Sequence, residues 1–261
     1  MARWVRFSAK DATVSAAGFG RLEGETITVY EGDLFAGPVA TGETLALADV
    51  SLEAPCQPSK IIALWNNFHA LAAKLNVAEP AEPLYLLKAP STVAAPGATV
   101  HRPPAYGGKT VYEGELGIVI GRTASNITED EAAAHIFGYT IVNDITAADI
   151  LQKDPTFPQW ARAKGFDAYG PFGPWIETDL DPTATSVRTV LNGAERQNYP
   201  LSDMIFPPAR LVAMISRDMT LLPGDLIACG TSLGVGTMKE PSNDIEVSIE
   251  GIGTLKNVFV Q

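Results

Sequence analysis

The sequence predicts a mixed α/β fold rich in strands, and three observations carry that expectation. Short apolar runs heavy in valine and isoleucine recur along the chain, bounded by glycine, proline or aspartate, as strands are. Helical periodicity is confined to a few short stretches. The regular strand–helix alternation of a doubly wound parallel sheet is missing.

The elements follow in order. Trp4 to Phe7 and Glu25 to Tyr30 are apolar runs separated by turn residues, so residues 1–55 read as a small β-meander domain. Pro55 and Pro58 mark residues 51–59 as a linker, and 58–261 is the expected main domain. Lys60 to Leu64 is a strand. Residues 67–76 form a short helix with Phe68, Leu71 and Leu75 on one face. Residues 78–109 are rich in proline and glycine.

Thr128 and Glu131 have capping-box spacing, which predicts a helix to about Phe137. Gly138 to Asn143 is a strand, and Thr146 is expected to cap a second short helix. Pro207 and Pro208 open a third helix through Ser216. Pro223-Gly224-Asp225 turns into the strand Leu226 to Cys229. Ile245 to Val260 alternates like strands around a turn at Gly251 and Gly253.

The 261 residues, 46% of them hydrophobic, can bury one large core, or one large and one small. The net charge of −11, with lysine and arginine scattered, offers no footprint for nucleic acid or an anionic membrane. No apolar run approaches the ~20 residues of a membrane span. The N-terminus lacks the apolar core of a signal peptide. Cys56 and Cys229 stand far apart without metal-ligand spacing, so a reduced cytoplasmic protein is the expectation.

Glu113 and Glu115 lie two apart on a strand candidate, so they share a face with the small Gly114 between them. Asp144 closes the next strand. If Asp144 meets the pair, three carboxylates share one site and repel one another unless a cation joins them. All-oxygen donors suit a hard divalent ion. A solvated edge is the plainer alternative for the pair. Lys164, beside the turn formers of 165–174, is either surface decoration or a counter-charge for such a site. The glycine-rich loop 230–236 lacks the lysine of a phosphate loop; its amides and the Thr231 hydroxyl can hold a carboxylate.

Several motifs occur in a fixed order: Leu86-Leu87-Lys88-Ala89-Pro90, Tyr112 to Gly121, Gly138 to Asp144, Ala163-Lys164-Gly165, Gly173-Pro174-Trp175, Ser216 to Asp225, Gly230 to Gly236 and Gly251 to Leu255. Together they resemble the fumarylacetoacetate hydrolase superfamily over about residues 58–260, including its members acting on 2-hydroxyhepta-2,4-diene-1,7-dioate and 5-carboxymethyl-2-hydroxymuconate. The resemblance implies a β-rich roll with short helices, usually a homodimer, behind a small variable leading domain. It implies Mg²⁺ or Mn²⁺ on Glu113, Glu115 and Asp144. Lys164 and Lys88 would line the site. Thr231, Gly230 and Asn67 would meet a small 2-oxo acid substrate. The metal would polarise its carbonyl and stabilise an enolate.

Many members carry a lid motif with a His–Glu dyad that moves a proton. Here those positions are Leu71 and Lys74, and His69 lies two residues early, about 200° around a helix. His69 serves as the base only if the helix is rotated or starts later. Ala148 replaces an arginine common in the family. These departures favour decarboxylation or isomerisation of a 2-oxo or 2-hydroxymuconate-type diacid, in catabolism of aromatic compounds. Hydrolysis of a C–C bond in an acylpyruvate or fumarylacetoacetate-like compound is the alternative. A non-catalytic metal-dependent ligand binder is a third reading.

Overall fold

The computed structural model describes residues 2–10 and 17–261. Residues 11–16 of the expected meander lie outside them. A 12-stranded sheet forms the body of the molecule. Its main path runs Val39–Ala46, Thr26–Glu31, Ala17–Glu23, Arg3–Ala9, Gly170–Glu177, Ile136–Asn143, Gly114–Ile120, Leu226–Ala228, Ile61–Trp65 and Leu84–Lys88. The N-terminal strands extend this sheet, because Arg3 pairs with Glu177 and Trp4 with Ile176.

The sheet rolls up. Lys88 closes the last strand, yet its ammonium reaches Asp144, which follows Ile136–Asn143 on the far side of three intervening strands. Val93–Ala94 pairs parallel with Gly170–Glu177 and fastens the roll. A five-stranded sheet covers its outer face, in the order Ala194–Pro200, Ser186–Leu191, Ser242–Ile249, Gly253–Val260 and Thr99–His101.

Gly114–Ile120 is buried on both faces, which is why it reads as an unbroken apolar run. Leu116, Ile118 and Ile120 share one core with Val187, Val247 and Ile249 of the second sheet. Val119, facing the other way, packs with Ile61, Ala63, Val142, Phe172 and Ala228 inside the roll.

Four α-helices occur among the described residues: α1 (His69–Leu75), α2 (Glu129–Ala132), α3 (Trp160–Lys164) and α4 (Pro208–Asp218). The capping box at Thr128 and Glu131 is formed, but α2 ends at Ala132 and passes through a 3-10 turn to a strand that begins at Ile136. β-Branched and aromatic residues from Ile136 onward take the sheet in preference to the helix. Thr146 does not cap a helix. It pairs with Val111 in a three-stranded sheet, and its hydroxyl donates to the Asp144 carbonyl at 3.1 Å. The expected linker begins as a strand, since Val50–Glu53 pairs with Arg3–Ala9 and buries Val50. α4 starts at Pro208, as the proline pair predicts.

Candidate metal and substrate site

Glu113 precedes the strand Gly114–Ile120 and Glu115 lies on it, both on its inner face. Gly114 between them points outward. A Cβ there would lie 2.3 Å from the Thr189 hydroxyl and 2.9 Å from Val247 Cγ1, so the second sheet requires glycine. The Gly114 peptide is held on both sides. Its N–H donates to Gln197 Oε1 at 3.0 Å, and its carbonyl accepts from the hydroxyls of Tyr199 at 2.5 Å and Thr231 at 3.1 Å. Gln197 Nε2 also donates to Thr231 Oγ1 at 2.8 Å. This network fixes the glutamates against the glycine-rich loop.

Carboxylate oxygens of Glu113, Glu115 and Asp144 lie within 4.8 Å of one another. Glu115 and Asp144 have no exposed surface. Lys164, at the end of α3, donates to Glu113 Oε2 at 2.7 Å and Asp144 Oδ2 at 2.5 Å. Lys88 donates to Asp144 Oδ1 at 2.6 Å and to the Lys164 carbonyl at 2.6 Å. Glu115 Oε2 accepts from the Gly230 N–H at 2.9 Å, while its Oε1 is buried with no hydrogen-bond partner.

Burial pushes the Glu115 carboxyl well above the usual range, and the Asp144 charge adds to the push. Burial raises Glu113 too, against the pull of Lys164. Burial alone would raise Asp144, but the ammoniums of Lys164 and Lys88 outweigh it and hold Asp144 low. Burial draws Lys88 down, against the attraction of Asp144. Burial opposes the charge of Lys164 as well, yet Asp144, Glu113 and Glu115 together lift its pKa.

Three carboxylates against two ammoniums leave one formal negative charge uncompensated. An orphaned, buried carboxylate oxygen in an all-oxygen cluster fits a hard divalent cation such as Mg²⁺ or Mn²⁺. With the cation the balance becomes one positive charge, which suits an anionic substrate.

The other residues singled out in the sequence fall in different places. Asn67 is buried, and its amide is occupied: Nδ2 donates to the Cys229 carbonyl at 2.8 Å and Oδ1 accepts from the Phe206 N–H at 2.9 Å. It ties the base of α1 to the loop carrying Gly230. His69 is the first residue of α1, so the helix does start late. Its imidazole is half exposed and lies 2.6 Å from Glu79, not against the three carboxylates.

The sequence reading passed over Gln197, Tyr199 and Glu79. The first two sit on the hairpin Ser186–Leu191 and Ala194–Pro200. Asn192-Gly193 between apolar runs is a strong hairpin signal that would have revealed it. Glu79 lies in a proline-rich stretch with no local pattern.

The family described as "Fumarylacetoacetate (FAA) hydrolase C-terminal" matches residues 60–260, and one described as "Rv2993c-like, N-terminal" matches residues 2–55. The chain belongs to the fumarylacetoacetate hydrolase family. It is similar to protein Rv2993c of Mycobacterium tuberculosis, with 43% identity over 87% of this chain and 85% of the relative. Oxaloacetate tautomerase YisK of Bacillus subtilis is 37% identical over 81% of this chain and 74% of its own. The crystal structure of 2-hydroxyhepta-2,4-diene-1,7-dioate isomerase from Mycobacterium marinum superposes with a TM-score of 0.89 at 37% identity, covering 100% of this chain and 98% of that one. The β-rich α/β fold is therefore that of the family, and the chain is an enzyme of it. No helix among the described residues is long and apolar enough to cross a membrane.

Proposed function

We propose that this enzyme isomerises or decarboxylates a 2-oxo or 2-hydroxymuconate-type acid in the breakdown of aromatic compounds. The observation that carries the reading is the buried, partnerless Glu115 Oε1 within a carboxylate cluster flanked by two lysines. Glu113, Glu115 and Asp144 would hold Mg²⁺ or Mn²⁺. The cation, when bound, supplies a Lewis acid that draws electrons from the 2-oxo group.

The chain's own groups do the rest. The Lys164 ammonium, released from the carboxylates, is placed to meet the substrate carboxylate. The Gly230 N–H fixes the Glu115 carboxylate at 2.9 Å. The half-buried Thr231 hydroxyl accepts from Gln197 and donates to the Gly114 carbonyl, and it would turn from that carbonyl to meet a substrate oxygen. Lys88, wholly buried, holds Asp144 in place and keeps it ionised. His69, at the start of α1 and braced by Glu79, is the candidate proton carrier.

The similarity to proteins named oxaloacetate tautomerase and 2-hydroxyhepta-2,4-diene-1,7-dioate isomerase supports the reading. A homodimer is the proposed assembly, and sedimentation would check it. Proton NMR of Mn²⁺-loaded enzyme with oxaloacetate, acetylpyruvate and a 2-hydroxymuconate-type acid tests the chemistry. Double-bond shift or loss of CO₂ without acetate is expected. Acetate from acetylpyruvate would establish C–C hydrolysis instead.

A further inference from the structure

A cleft of about 820 Å³ opens between α3 and the edge strand Leu84–Lys88. Trp65 and Trp160 form part of its wall, their rings 5.9 Å apart. Leu84, Leu86 and Leu151 add to it. Its polar side-chain groups are the Gln152 amide and the two indole N–H groups, while the Tyr85 hydroxyl turns to the other face of the strand and meets Asp218 at 3.0 Å. No lysine, arginine or histidine is among its lining residues.

Two structural relations set the wall of the cleft near the carboxylates. Trp160 and Lys164 begin and end α3, four residues apart and so on one helix face. Lys164 touches Glu113 and Asp144. Strand register gives the second relation. Gly117 pairs with Ala228, which pairs with Ala63. Glu115, Gly230 and Trp65 each stand two residues beyond that row, at the same end of the sheet. Glu115 and Trp65 therefore share a face two strand spacings apart, about 10 Å.

We propose that this cleft seats the far end of the substrate, and that this end is an uncharged aryl or hydrocarbon group. The proposal rests on the 2-oxo acid reading above and narrows it. A 2-oxo acid head on the cation and Lys164 directs the rest of the molecule toward Trp65 and Trp160. A second carboxylate there would lose water and find no cation, which is costly. A ring would gain apolar burial and edge or offset contacts with both indoles. The diacid expected from the sequence becomes a monoacid with an apolar tail. Trp160 and Trp65 are then specificity-determining residues.

Titration calorimetry on the Mn²⁺-loaded protein would compare 2-oxo-4-phenylbutanoate, 2-oxoadipate and 2-oxobutanoate. The aryl acid is expected to bind roughly tenfold more tightly than the diacid. Trp160→Ala should shrink the ratio of aryl to short-chain affinity by a similar factor. Gln152→Arg, on an exposed loop, keeps the test open if Trp160→Ala does not fold, and should raise affinity for the diacid. Equal or tighter binding of the diacid by the unaltered protein overturns the inference alone, as does an affinity ratio indifferent to Trp160→Ala. Absence of Mn²⁺-dependent binding for all three acids overturns the functional reading, and this inference with it.

Discussion

Glu115 shows how one residue can be costly to the empty fold and necessary to its use. Its carboxylate is fully buried, one oxygen has no partner, and burial holds its pKa well above the usual range. Glu115→Gln removes the charge while keeping the shape and the oxygen that meets Gly230. The expected outcome is that calorimetry finds no Mn²⁺ binding and activity is lost, while circular dichroism is unchanged and the metal-free protein melts no lower. An active Glu115→Gln enzyme would place the site elsewhere. Gly114 is constrained from the opposite side. Its Ala variant must push Thr189 or the strand aside, and overpacking of this kind costs about 1–3 kcal/mol. Chemical denaturation of Gly114→Ala would read that loss, and metal affinity should fall with it because the flanking glutamates move. His69 separates the two proposed reactions. Isomerisation needs a proton shuttle and decarboxylation mainly an electron sink, so His69→Ala should depress isomerisation and spare decarboxylation. An isomerisation rate unchanged by His69→Ala would remove His69 from the chemistry.

At the scale of elements, the short helix α1 depends less on its own sequence than on its anchor. Seven residues are too few to be helical alone in water. Asn67, bonded to Cys229 and Phe206, holds its entry against the glycine-rich loop. Asn67→Ala leaves the Phe206 N–H and the Cys229 carbonyl short of their partner, a penalty of about 1–3 kcal/mol. Amide exchange should quicken across residues 66–76 more than in the strand Gly114–Ile120; uniform protection would show that α1 is held otherwise. The elements also show what could be read in advance. The strand carrying Glu115 was legible because both of its faces are buried and its composition says so. The proline-led α4 was legible from local chemistry. Thr146 was not: its hydroxyl suits a cap, and only the approach of Val111 from a distant strand makes it a sheet residue. The shared face of Glu113 and Glu115 followed from strand period and the place of Asp144 beside them from the family resemblance, whereas the His69–Glu79 pair and Gln197 depend on chain reversals that leave little local trace.

The whole molecule couples these parts through the roll. Glu115 and Asp144 come from adjacent strands, whereas Lys88 ends the last strand of the path and reaches Asp144 only because the sheet closes. Binding a cation there should therefore stabilise the entire fold. At a hundredfold excess over Kd the gain is about 2.7 kcal/mol, or roughly 5–10 °C in Tm for a chain of this size. The pH dependence has a definite sign. Glu115 has its folded pKa raised above the unfolded value of 4.5, so the metal-free protein loses stability as pH climbs from there toward the folded value. Glu113 shifts the same way. Asp144 is lowered below 3.8, so its contribution is present above that pH and disappears only in stronger acid. A cation must displace the protons that Glu115 and Glu113 retain, so its binding weakens as pH falls. The Mn²⁺-induced rise in Tm, followed by scanning calorimetry, is expected to be small near pH 5 and to grow toward pH 8. In Glu115→Gln the rise should be absent throughout. A Tm shift that is constant with pH in the unaltered protein would mean that the cation binds groups already ionised, and would move the metal away from Glu115.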